Sequence, residues 1–424
     1  MPGSGLATLD EDQKERDLRG MSVGTRKKKA VCLLGGGFAN KGAEAMVLTV
    51  AEAIRERLPD VSILMRIANL YFADARANGL IPVKADRPTS AASRLLSKAR
   101  MARIYLKCGA LIDVGGYQFG DAWGEQVAWA KSRAVKRSVQ FGNLVFFMPQ
   151  AWGPFSSKGI VDATRTVIET ATLSYVRDET SLAAVEKLAG EGNPKVRFAH
   201  DIAWNFQGAD PSVGLKLIRD AGLSAKAGSL VVCLTPNVRV YERSEGKGAD
   251  SGYIRCLRDI VDHLCSEHGV QVVLMGHELR RNNSQVMDDR RLCNYLLSCL
   301  DESLPVVHLD EVLTAAQVKS VIGNCDLLLS SRYHALIAAL SQGIPSAAIG
   351  WSHKYDELMA EVGLSSNIIS LSKTSEEIRD DVDLIVQRMD VTRSAIGPKT
   401  AAMKESGRQA LDEVVSRIEE RFRG

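Results

Sequence analysis

Asp326-Leu327-Leu328-Leu329-Ser330-Ser331-Arg332-Tyr333-His334 is an apolar run that ends in a cation and an imidazole. A small-residue stretch, Ala335 to Leu340, and the turn Gly343-Ile344-Pro345 follow it. A second apolar run, 346–350, then delivers Trp351, Ser352, His353, Lys354 and Tyr355. Strand, helix, turn and strand in that order make one parallel βαβ unit. In open parallel sheets the carboxyl edge of the strands is where ligands bind. Two neighbouring strands therefore bring Arg332, His334 and Lys354 to one edge. Fixed cations beside a titratable imidazole suit a small anionic substrate that must also be protonated.

The same alternation extends in both directions. Upstream, strands are expected at 30–34, 61–67, 110–114, 144–148 and 173–176, with helices at 42–58, 91–107 and 179–189. A polar stretch at 207–228 interrupts the pattern and reads as a linker. The alternation restarts with strands at 230–234, 271–275, 306–309, 326–329 and 346–349 and helices at 252–267 and 287–299. The loop 238–250 is polar and glycine-containing and reads as mobile. The segment 400–422 is a charged amphipathic helix with no strand after it, expected to pack back across a domain junction. The fold class is thus α/β, with two Rossmann-like domains facing a central cleft. The expected division is a disordered lead-in at 1–28, an N-terminal domain at 29–206, the linker at 207–228, a C-terminal domain at 229–390 and a helical tail at 391–424. Met21 is an alternative start.

Composition excludes several classes. With 54 Lys and Arg against 51 Asp and Glu, the net charge of +3 is too small to argue for nucleic acid. The eight cysteines are scattered, with no CxxC pair and no zinc spacing, so no metal is expected and a reducing cytoplasm fits. Neither a signal peptide nor an apolar run long enough to span a bilayer is evident. Two basic clusters, Arg94 to Lys107 and Lys131 to Arg137, are compatible with peripheral contact to an anionic membrane or with solvated helix faces.

Other strand ends carry polar groups. Gly35-Gly36-Gly37 with Asn40, Lys41, Gly42 and Glu44 opens a helix but is neither GxGxxG nor a Walker A loop. Gly115 to Asp121 is a second glycine-rich turn, in which Asp121 is a sugar-hydroxyl acceptor or a helix N-cap for the segment from Ala122. Met148 to Phe155, including Gln150 and Trp152, suits a cleft wall. Arg177 at a strand end offers a further cation for an anion.

Six segments, NKGAEAM from Asn40, DVGGYQFGD from Asp113, MPQAWGPF from Met148, YVRDETS from Tyr175, SSRYHALIAALSQGIP from Ser330 and GWSHKYDELM from Gly350, resemble the polysaccharide pyruvyltransferase family in content and order. The resemblance covers about residues 31–365. It implies a fold like that of B-type glycosyltransferases, phosphoenolpyruvate as donor co-substrate with no separate cofactor, and a sugar hydroxyl pair as acceptor. The product would be a pyruvate ketal on a glycan or a lipid-linked precursor. By matching motif, Arg177, Arg332 and Lys354 would hold the donor and His334 would be the general acid, with His353 in reserve. Asn40, Glu44, Asp121 and Gln150 would lie on the acceptor side or the cleft wall. The alternatives are a nucleotide-sugar glycosyltransferase of the same fold and a non-catalytic carbohydrate-binding subunit.

Overall fold

The computed structural model describes residues 29–85, 89–223, 229–281, 287–350 and 353–423. Trp351, Ser352 and the side chain of His353, the reserve acid, lie outside the described residues. Two parallel sheets form the frame. The first joins Ala30–Leu34 (β1), Ser62–Ile67 (β2), Ile81–Lys84 (β3), Ala110–Asp113 (β4), Tyr117–Phe119 (β5), Leu144–Trp152 (β6), Leu173–Val176 (β7) and Val196–Phe198 (β8). Their order is β3-β2-β1-β4-β6-β7-β8, with β5 pairing on the end of β6. The second sheet joins Val231–Thr235 (β9), Gln271–Met275 (β10), Val306–Leu309 (β11), Leu327–Ser330 (β12), Ser346–Gly350 (β13) and Ile368–Ser370 (β14), in the order β11-β10-β9-β12-β13-β14. Chain order reverses at β1/β4 in the first sheet and at β9/β12 in the second. These are the switch points at which an α/β sheet opens a crevice. The glycines after β1 and the Arg332–His334 segment after β12 both sit there.

Period-two alternation sorts the strands' side chains onto two faces. In the second sheet Val232, Leu234, Val272, Leu274, Leu327 and Leu329 pack under the helices Gly252–His268 and Ser375–Gln387. Cys233, Val273, Met275 and Leu328 face the other way, into a core continuous with Val31, Leu33, Ile112, Phe146 and Met148 of the first sheet. One apolar cluster thus spans both halves, and the polar site is built along its rim. All eight cysteines are free, and those on strands pack as small hydrophobes.

The tertiary structure departs from the sequence reading at several places. The stretch expected as a linker holds the helix Pro211–Asp220, capped by Asp210, which packs on the helix Ala315–Gly323. Gly214 permits this, since a Cβ there would meet the Ser320 backbone at 2.4 Å. The loop expected at 238–250 contains the helix Val238–Arg243, capped by Asn237. β6 runs past Pro149 to Trp152, with a register shift between Phe147 and Gln150. Strands β3, β5, β8 and β14 were not expected. They are short, and three of them lie at sheet edges, where alternation is weakest.

The final helix is longer than expected, Met389–Arg423. It leaves the second half and lies against the first: Tyr175 Oη bonds Glu413 at 2.6 Å and Arg57 pairs with Glu419 at 2.7 Å. One of its two glycines, Gly407, lets it approach the turn Ile202–Asn205, where a Cβ would collide with the Asn205 amide at 2.6 Å.

A candidate active site between the two sheets

Three strand ends and one helix start meet at the cleft. Arg177 follows β7, and its guanidinium lies 3.0 Å from Asp201 Oδ2 and 3.8 Å from Asp178 Oδ2. The same guanidinium stacks 4.6 Å above the Tyr333 ring. Tyr333 and His334 open the helix Tyr333–Leu340, whose N-terminus faces the carboxyl edge of β12. Lys354, in the first turn of the helix His353–Glu361, places its Nζ 5.9 Å from the Tyr333 ring and 5.0 Å from the Tyr355 ring. Tyr333 is therefore a floor shared by Arg177 from the first sheet and Lys354 from the second.

Lys354 is the exceptional cation. Among the described residues it has no carboxylate partner, while Arg177, Arg332, Arg239 and Arg243 all act on it. Burial first, and those like charges second, lower its pKa to about 8. An ammonium held in this way gains more from an incoming anion than a solvated one would.

Arg332 is arranged differently from the sequence expectation. Its guanidinium lies 3.1 Å from Glu278 Oε2, also bonds Asp289 Oδ1, and is only 6% exposed. Asp289 in turn accepts from the backbone N–H groups of His277, Glu278 and Val238. Arg332 thus lies inside a carboxylate cage. Replacing it with Ala would leave two buried carboxylates with less compensation and should cost about 3–5 kcal/mol of stability. Urea unfolding of Arg332→Ala checks this; a change below about 1 kcal/mol would contradict the cage.

His334 sits over Asp201, with Nε2 3.4 Å from Oδ2. Asp201 is 2% exposed. Burial alone would raise its carboxyl, but His334 and Arg177 together hold it down to about 2, so it stays ionised. One buried carboxylate therefore hydrogen-bonds the Arg177 cation and lies within ion-pair distance of the imidazole, whose Nε2 has no hydrogen-bond partner among the described residues. The final helix buttresses this turn, with Ser406 Oγ accepting from the N–H of His200 at 3.2 Å. Against the other edge of the His334 ring lies Gly42. A Cβ there would come within 2.1 Å of Cγ and 2.3 Å of Nδ1. Behind the ring is a pocket of about 20 Å³ lined in part by Lys41, His277 and Lys319, space for roughly one water molecule. Burial drives His277 well below its ordinary value and Lys319 down to about 7.

The residues expected on the acceptor side are engaged elsewhere. Asn40 caps the helix Lys41–Arg57, accepting from the N–H groups of Gly42 and Ala43. Glu44 is buried, pairs with Lys41 at 2.8 Å and accepts from Ala315 N at 2.9 Å, clasping the first half to the second. Asp121 caps no helix; its carboxylate takes Ser156 N and Oγ, tying down the loop after the strand β6. Gln150 is fully buried in β6, and among the described residues neither its side-chain oxygen nor its nitrogen has a hydrogen-bond partner. Of the second basic cluster, Lys131 turns inward over the Phe119 ring at 4.8 Å and bonds Gln118. Asp201 and Tyr333 escaped the sequence reading. Tyr333 lay inside the quoted motif, and its position between Arg332 and the His334 imidazole was the available signal.

A model of the family described as polysaccharide pyruvyl transferase matches residues 40–353. The chain belongs to the polysaccharide pyruvyl transferase family. The matched span runs from the Asn40 cap across Arg177, Asp201, Arg332 and His334, and stops one residue short of Lys354. Solved structures share the fold. HepE of Anabaena in complex with UDP-glucose is 14% identical, with 92% of this chain and 98% of that one covered and a TM-score of 0.57. UDP-GlcNAc 2-epimerase from Methanocaldococcus jannaschii is 9% identical over 91% of this chain and 99% of that one, with a TM-score of 0.61. The enzyme of that name from Neisseria meningitidis, bound to UDP-GlcNAc, is 10% identical over 91% and 100%, with a TM-score of 0.57. At such identities the likeness is one of fold, two Rossmann-like domains around a cleft.

Proposed function

We propose that the enzyme transfers the enolpyruvyl group of phosphoenolpyruvate to two hydroxyls of a sugar and closes a pyruvate ketal. The observation that carries this reading is Lys354, a half-buried cation lacking a carboxylate among the described residues, facing Arg177 across Tyr333 beside the His334–Asp201 pair. Phosphoenolpyruvate bears close to three negative charges, which such a cluster would neutralise. His334 delivers a proton to the methylene carbon, and the carbon that bears the phosphate ester becomes oxocarbenium-like. One sugar hydroxyl attacks that carbon, and phosphate leaves with the electrons of its C–O bond. The second hydroxyl attacks the same carbon and closes the ring. Of the two hydroxyl protons, one restores His334 and the other departs with phosphate. Asp201 holds the imidazole and balances its charge while it is protonated.

Incubation with labelled phosphoenolpyruvate and a panel of glycosides tests the reading through phosphate release and a ketal mass gain. The fold also suits a nucleotide-sugar glycosyltransferase. Turnover of a UDP-sugar without phosphoenolpyruvate would support that rival and overturn the proposal.

Lys354 gives the reading a pH signature. Below about pH 8 its ammonium is charged before the donor arrives. Above that, donor binding must first draw a proton from solvent, so affinity should fall by up to about tenfold per pH unit. Calorimetry at pH 9 in buffers of different ionisation enthalpy should register proton uptake, and at pH 7 uptake by this group should be absent. Lys354→Ala should abolish the uptake and weaken donor binding by about 1.5–3 kcal/mol. Equal donor affinity at pH 7 and 9.5 in the unaltered enzyme would count against Lys354 as a donor ligand.

A lipid-linked acceptor would bring the enzyme to a membrane surface, and one helix suits that role. Ala91–Lys107 buries only Ile104 and Tyr105, while Leu95, Leu96 and Leu106 are 70%, 64% and 56% exposed beside Arg94, Lys98 and Arg103. Apolar side chains flanked by cations match an anionic bilayer surface, where each basic residue contributes about 1 kcal/mol. Among the described residues no helix is long and apolar enough to cross a membrane. Flotation with phosphatidylglycerol vesicles should retain the enzyme, phosphatidylcholine vesicles should not, and Leu95→Glu with Leu96→Glu should release it. Equal and negligible binding to both vesicles would remove the membrane from the reading.

A further inference from the structure

The outer face of the second sheet carries a cluster that the transfer reaction does not use. His263 and His268 lie on the helix Gly252–His268, and Asp383 on the neighbouring helix Ser375–Gln387. These helices pack over the sheet face formed by Val232, Val272, Leu327 and Ile349, opposite the face that continues into the cleft core. His263 Nε2 is 2.6 Å and His268 Nε2 2.7 Å from the same oxygen, Asp383 Oδ1. The two rings stand nearly perpendicular, at 82°, with centroids 5.5 Å apart. The three candidate ligand atoms all lie within 4.8 Å of one another.

We infer that His263, His268 and Asp383 form a binding site for a divalent transition metal of the zinc class. Two imidazole nitrogens and one carboxylate oxygen are the donor set of three-ligand zinc sites, with water in the fourth place. Zinc takes nitrogen and oxygen at about 2.0–2.1 Å, which for tetrahedral angles separates ligand atoms by roughly 3.3 Å. The present nitrogen–oxygen separations therefore need to open by roughly 0.6 Å. Asp383 is the ligand with most room to supply this, because its side chain is 39% exposed on the helix surface. The imidazoles are more enclosed, with His263 and His268 12% and 21% exposed. The helix pair beneath them is fixed by Ile378, Val382 and Ile385 and by the Ser375–Asp259 bond of 2.6 Å. On binding, each ring carries its proton on Nδ1 and offers Nε2 to the ion, while Oδ1 changes from hydrogen-bond acceptor to ligand. The ion would staple the two helices over the sheet, and the second of these leads directly into the final helix that buttresses Asp201.

The test uses the full chain without an affinity tag, stripped with chelator. Calorimetry with Zn²⁺ should register one ion per chain that is lost in the double variant His263→Ala/His268→Ala, and Asp383→Asn should weaken it at least about tenfold. Asp383→Asn keeps an oxygen for the two imidazoles, so its melt in chelator should match the parent and separate metal binding from packing. Co²⁺ in the parent should give the intense visible bands of a four-coordinate site without a thiolate charge-transfer band, which excludes the eight cysteines as the source. Absence of Zn²⁺ binding in the parent, or equal stoichiometry in the double variant, would overturn the inference and leave a hydrogen-bonded pin only. None of these readouts depends on transferase activity.

Discussion

Replacing His334 with Gln should lower turnover by about 10²–10⁴-fold, the usual worth of a positioned acid, while donor affinity changes far less. The cations that would hold the anion belong to Arg177 and Lys354, and neither depends on the imidazole. Asp201→Asn should reproduce much of the defect, because the amide keeps an oxygen near the ring but carries no charge to balance the imidazole once it is protonated. Steady-state kinetics with phosphoenolpyruvate and an accepted glycoside, read as kcat and KM separately, check both. His353→Ala supplies the comparison and should lose clearly less. Near-normal turnover in His334→Gln together with loss in His353→Ala would transfer the acid role to His353.

Gly42→Ala is expected to reduce activity by about 10²-fold without altering any ionisable group, since displacing a catalytic group by about 1 Å costs that much. The added methyl would stand 2.1 Å from Cγ and 2.5 Å from Cβ of His334, so the ring or the helix must shift. Overpacking of this kind also costs about 1–3 kcal/mol of stability, more than the helix gains from exchanging Gly for Ala. A thermal melt alongside the kinetics separates the two effects. Full activity and an unchanged melt would mean that the His334 ring is not confined by the helix Lys41–Arg57. The glycine of the NKGAE segment thus acquires a specific purpose: it makes room for the His334 ring of the opposite half.

The parallel α/β frame was legible from local pattern alone. Apolar runs of four or five residues such as Leu327–Ser330 and Gln271–Met275 are buried on both faces, and amphipathic segments between them can only be crossover helices. The strand ends that carry Arg177, His334 and Lys354 could be read for the same reason, since parallel strands end at one edge of their sheet. Edge strands such as Ile81–Lys84 and Ile368–Ser370 were missed because each is short and buries only one residue, so the alternation fades. The helix Pro211–Asp220 was missed because its packing partner lies about a hundred residues away, at Ser320.

What only the tertiary structure decided is which charge meets which. Arg332 looks like an open anion ligand in sequence, yet Glu278 and Asp289, 54 and 43 residues distant, enclose it. Asp201 follows a three-residue edge strand with no motif around it, and it becomes central because β7, the final helix and the helix Tyr333–Leu340 converge on one turn. His263 and His268 are 120 and 115 residues from Asp383 and share no spacing that sequence could register. Backbone pattern is set by neighbours along the chain and repeats with the period of helix or strand. Electrostatic partnership is set by distance in space, and it appears only once the chain has closed on itself.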